Sequence, residues 1–213
     1  MRSVEPMPGN PWPHDMVIRI QEDEQGLLDL LWIRAARGLE PTGDAPPPPE
    51  IVPEFQPTTQ SLRRDKGDWA SAWTELWWAV LGHLGRPHRS GEFEEMRAAE
   101  PGSEERRRLL LAMTGPSWRD RFGADGFDDD YDEWIGAISR GRRLGRPRSL
   151  EEDPERRSLD ATIAAWERGL ETIVTIPCVG EYDRTISETG LCVTTSTRAD
   201  PALYSRALLS FGR

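Results

Sequence analysis

Apolar side chains recur once per helical turn over several stretches of the chain, and most of these stretches end at a glycine or proline. The clearest stretch is DWASAWTELWWAVLGHLG, from Asp68 to Gly85. At 100° per residue, Trp69, Trp73, Leu76, Trp77, Val80 and Leu84 fall on one stripe that must face a core. Trp78 falls on the opposite side and Leu81 between the two. The helix is therefore apolar on more than one face, which suits either a central helix or a docking surface.

The same reasoning places a helix over Glu22 to Arg37, with acids in its first turn, Arg34 and Arg37 in its last, and Gly38 to end it. Shorter helices are expected over Glu92–Ala99 and Glu104–Met113, the second capped by Ser103 and stopped by Gly115-Pro116. Asp130 to Arg140 carries Tyr131, Trp134, Ile135 and Ile138 on one side. Asp153-Pro154 opens a helix whose stripe is Leu159, Ile163, Trp166 and Leu170, and Asp200-Pro201 opens a last one bearing Leu203, Ala207, Leu208 and Phe211.

Extended segments flank this helical body. Met16–Ile20 and Thr172–Ile176 read as strands, and Asp183–Ser187 with Leu191–Thr195 as a hairpin closed near Glu188–Gly190. The expected fold is α+β, predominantly helical, with a small C-terminal antiparallel sheet of three to four strands that the N-terminal strand can join, and helices on one face. Residues 1–14 form an extended lead, and residues 15–213 a single domain interrupted by the Pro-rich segment 39–66. Within that segment Pro46–Pro49 favours polyproline II and reads as a spacer.

Composition narrows the function classes. A chain of 213 residues with nine tryptophans can fill a core without staples. Its net charge of -10 argues against coating nucleic acid or an anionic membrane. No apolar run reaches membrane-span length and the first residues lack a signal core, so a cytoplasmic setting is expected. Lys66 is the one lysine among 27 basic residues, a bias that a GC-rich bacterial genome explains. Cys178 and Cys192 match no zinc spacing and read as reduced packing residues.

Two charge runs carry candidate chemistry. In DGFDDDYDE, Asp125 to Glu133, the carboxylates of Asp128, Asp129 and Asp130 are candidate ligands for a hard cation. Their spacing is not that of an EF-hand, since Gly126 comes second and the aspartates are consecutive; capping of the helix at Tyr131 is the plainer role. In RGRRLGRPR, Arg140 to Arg148, the residues Arg142, Arg143, Arg146 and Arg148 are candidates for a protein interface. No aromatic residue is interleaved to stack bases, which disfavours nucleic acid.

The histidines His14, His83 and His88 are scattered, and no G-x-S-x-G, P-loop, GxGxxG or HExxH pattern occurs. No reaction is named by these residues. They point to a non-enzymatic protein-binding factor, such as an adaptor, immunity or regulatory protein, acting through Trp78, Leu81 and the four arginines, without cofactor or membrane. The alternative is an enzyme with a carboxylate or metal site in the loop 125–133.

Overall fold

The computed structural model describes residues 10–22, 24–41, 43–52, 66–87, 91–124 and 126–212, with the side chains of 66–68 left aside. The chain is α+β and predominantly helical, with one four-stranded sheet among the described residues. The elements run β1 (Arg19–Gln21), α1 (Gln25–Arg37), α2 (Lys66–Leu84), α3 (Glu92–Ala98), α4 (Glu104–Thr114), α5 (Trp118–Phe122) and α6 (Asp129–Leu144). There follow α7 (Pro154–Arg157), α8 (Leu159–Glu167), β2 (Thr172–Ile176), β3 (Asp183–Thr185), β4 (Gly190–Thr194), α9 (Thr195–Ala199) and α10 (Pro201–Ser210).

The strand order is β1-β2-β4-β3. The expected hairpin forms, with β3 antiparallel to β4 and Arg184 opposite Cys192. The rest of the sheet corrects the antiparallel expectation, because β1 pairs parallel with β2, and β2 parallel with β4. The reason is topological: the chain leaves β2, descends along the outer edge in β3, and returns in β4 between the two. β4 therefore runs the same way as β2.

Helices cover both faces of the sheet, not one. Every residue of β2 and β4 is buried, the pattern of strands enclosed on both sides. Val174, Ile176 and Cys192 belong to a cluster with Leu30 of α1, Trp77 of α2 and Ile138 of α6. Ile173, Leu191 and Val193 point the other way, into a cluster with Ala165 of α8 and Tyr204 and Leu208 of α10. This alternation follows from the two-residue period of a strand.

In α2 the stripe packs as its spacing predicts, and Trp73 stacks on Trp77 with ring centres 5.2 Å apart. Leu81 is fully buried at 0% exposure. It is a core residue and not part of an exposed face, because a helix lying between α1 and its other neighbours is enclosed over more than one stripe. The expected stripe of α8 is also rotated. Ala161 and Ala165 are buried while Leu159, Ile163 and Trp166 are only partly so, since α8 lies close against α10 and its Ala207, where small side chains let the helices approach.

Part of the Pro-rich segment is packed, which corrects the spacer reading for residues 43–52. Val179 donates its N–H to the Pro48 carbonyl at 2.9 Å and Glu50 donates to Pro177 at 2.9 Å. Pro49 forms an isolated bridge with Cys178, and the Trp134 indole donates to the Ile51 carbonyl at 2.7 Å. Residues 1–9 of the expected lead and 53–65 of the Pro-rich segment lie outside the described residues. No helix among those described is long and apolar enough to cross a membrane.

Candidate functional site: a cleft at the carboxyl edge of the sheet

Because β1, β2 and β4 run parallel, their carboxyl ends share one edge. In open sheets of parallel strands, ligands bind in the crevice beyond that edge, where successive connections diverge to opposite faces. Here β1 leads into α1 on one face and β4 leads through α9 into α10 on the other. A cleft of about 1090 Å³ opens at this place, floored by Thr175 and Pro177 at the end of β2 and by Thr195 after β4. Ile20 and Ile138 add apolar surface, and the packed proline strap contributes Glu50 and Ile51.

One wall is a closed ionic network. Arg198 of α9 meets Glu155 of α7 through two parallel bonds, Nε to Oε1 at 2.8 Å and Nη2 to Oε2 at 2.9 Å. Arg198 also pairs with Glu22, the residue after β1, and the Tyr204 hydroxyl donates to Glu155 at 2.7 Å. Burial pushes the Glu155 carboxyl up, but the hydrogen bonds and charge of Arg198 outweigh it and hold the group below its ordinary value. Glu22 was expected in the first turn of α1; the helix instead begins at Gln25, and the acid is drawn to Arg198.

The opposite charge balance holds along the end of α6 and the loop that follows it. Arg142, Arg146 and Arg148 line the cleft, joined by Arg157 of α7. The Arg146 and Arg148 guanidinium groups make no ion pair or hydrogen bond with the described residues; the one bond of Arg148 is from its backbone N–H to Glu152 at 2.7 Å. Arg157 reaches the Ala199 carbonyl at 3.4 Å. Two neighbouring acids are engaged by the backbone, Glu152 by that bond and Asp153 as N-cap of α7, accepting from Glu155 N–H at 3.0 Å. Desolvation, followed by the proximity of Glu155, pushes the Asp153 carboxyl up.

Glu50 and the two threonines have capacity left. Desolvation pushes the Glu50 carboxyl up, against the pull of the Thr195 hydroxyl and of Arg142. Thr195 donates its one hydroxyl proton to the Ile176 carbonyl at 3.1 Å, and its oxygen keeps acceptor capacity. Thr175 is 6% exposed, and its hydroxyl finds no hydrogen-bond partner among the described residues.

The structure thus brings three of the expected arginines to the cleft and leaves the other candidates elsewhere. Arg143 is exposed on α6 and does not line it. Trp78 is 38% exposed on α2, while Leu81 is in the core. Asp128, Asp129 and Asp130 are exposed at the start of α6, where Asp129 and Asp130 meet the positive end of the helix. No group of three or more metal-ligating side chains converges among the described residues; Asp125 lies outside them.

Other buried polar groups serve the fold. Asp29 accepts from Arg119 Nε at 3.0 Å, from Gln25 Nε2 at 2.8 Å and from the Tyr131 hydroxyl, tying α1 to α5 and α6 away from the cleft. Burial pushes the Cys178 thiol up to about 12 and raises Cys192 as well, so both remain thiols. The residues that sequence reasoning missed are Glu50, Arg157, Thr175, Thr195 and Arg198. No protein-family model, no curated protein and no solved structure matches the chain.

Proposed function

We propose that this chain is a non-enzymatic binding factor that holds an anionic group in the cleft at the carboxyl edge of β1, β2 and β4. One observation carries the reading. The arginine-dense end of α6, in a molecule of net charge -10, borders a cleft of about 1090 Å³, where the exposed guanidinium groups of Arg146 and Arg148 make no ion pair or hydrogen bond with the described residues. Planar guanidinium forks match phosphate and carboxylate oxygens in pairs.

Inorganic phosphate tests this. In a thermal-melt series with millimolar phosphate, wild type is expected to gain stability as ligand occupies the folded state. The double variant R146A/R148A should melt near wild type without ligand and gain little with it. Equal gains in the two proteins, or none in wild type, would count against the reading.

A second reading, docking of a protein partner, rests on a different surface. Phe93 of α3 and Leu111 of α4 are 57% and 54% exposed, and α4 buries none of its residues; Trp78 is the exposed indole of α2. A stoichiometric partner recovered by pull-down with wild type, and lost with L111E or W78A, is the outcome that favours it.

A further inference from the structure

Resting on the anion-binding reading above, we infer that the cleft takes a phosphorylated sugar, a ligand that joins a phosphate to a row of hydroxyls. A bare phosphate trap would be lined by donors alone. This cleft sets two kinds of group on different elements, and each kind needs a different part of one molecule.

Arg146 and Arg148, on the loop after α6, supply donors for an anion and nothing else. Glu50, Thr195 and Thr175, on the strap and the ends of β4 and β2, supply what a sugar hydroxyl needs. Glu50 accepts two bonds or more. Thr195 donates its proton to the Ile176 carbonyl at 3.1 Å, which also accepts from Cys178 N–H at 2.9 Å, so the Thr195 oxygen keeps its lone pairs for a ligand donor. The Thr175 hydroxyl, buried and unbonded to the described residues at the end of β2, has both its proton and its lone pairs unspent. Glu152 and Asp153 each accept a backbone N–H and Glu22 pairs with Arg198, whereas Glu50 makes no ion pair among the described residues and is the least committed carboxylate of the lining.

The dimensions and the lining agree. A volume of about 1090 Å³ greatly exceeds a single phosphate and suits a small organic molecule. Ile20, Ile138 and Pro147 also line the cleft and offer apolar surface to a carbon skeleton. No aromatic ring lines the cleft among the described residues, so a nucleobase finds no stacking platform, and the sugar phosphate is favoured over a nucleotide.

Calorimetric titration of the full chain with ribose 5-phosphate, glucose 6-phosphate, adenosine 5′-monophosphate and inorganic phosphate tests the inference. At least one sugar phosphate is expected to bind about tenfold or more tighter than inorganic phosphate, the factor supplied by one hydrogen bond to a charged group. E50Q, measured against both ligands, should bring the ratio of sugar-phosphate to phosphate affinity down toward one. Equal binding of sugar phosphates and phosphate by wild type overturns the inference while the anion-binding reading stands. Tighter binding of the nucleotide than of ribose 5-phosphate also overturns it. Silence with all four probes overturns both. If E50Q does not fold, the wild-type comparison decides.

Discussion

Thr175 puts a hydroxyl where its neighbours in β2 are aliphatic, facing Val193 across the parallel pair. A buried hydroxyl without a partner carries a desolvation cost that a methyl group of the same shape does not. Thr175→Val is therefore expected to raise the stability of the unliganded protein by about 1 kcal/mol, measured by urea unfolding, while weakening whatever binds in the cleft. A loss of stability in that variant would mean that the hydroxyl is already satisfied within the fold. Stability and binding thus move in opposite directions at this position, which a purely structural role does not produce.

At the scale of elements, α2 shows how two neighbouring apolar positions separate. Leu81 is enclosed and Trp78 is 38% exposed, so Leu81→Ala is expected to cost about 2–4 kcal/mol through lost burial and a residual cavity. Trp78→Ala should cost under about 1 kcal/mol. Denaturant midpoints of the two variants check the difference. Helices and their ends were legible in the residues because their signals are local: Ser103, Asp153 and Asp200 each accept the backbone N–H groups expected of an N-cap. Strand direction was not legible. Whether β4 pairs beside β2 or beyond it depends on where β3 goes, and no residue in the hairpin encodes that. The stripe of α8 misled because close helix approach favours Ala161 and Ala165, which a hydrophobic reading undervalues. The cleft divides in the same way: Arg142, Arg146 and Arg148 form a visible local run, whereas Glu50, Thr175, Thr195 and Arg157 come from four separate segments that only the fold assembles.

Over the whole molecule, the network of Glu22, Glu155, Arg198 and Tyr204 joins the end of β1 to α7, α9 and α10. Removing one partner from a buried pair leaves the other uncompensated, so Glu155→Gln should cost about 3 kcal/mol at neutral pH. The folded pKa of Glu155 lies below the ordinary 4.5, so this stabilisation is complete above that value and is lost as pH falls through the depressed one. Thermal melts across pH should show the gap between wild type and variant widest near neutrality and narrowing in acid. A gap that stayed constant with pH would deny the carboxylate its ionic role.

The parallel pairing of β1 with β2 also bears on how the protein is made. Arg19 lies beside Thr172, 153 positions further along the chain. On the ribosome, the first strand emerges long before its neighbour is translated, and the indoles of α1 and α2 leave the exit tunnel with no sheet beneath them. Completion therefore waits until Thr172–Ile176 and Gly190–Thr194 have been made. A stop codon anywhere ahead of Thr172 yields a polypeptide of helices without a platform, sticky to chaperones and open to proteases.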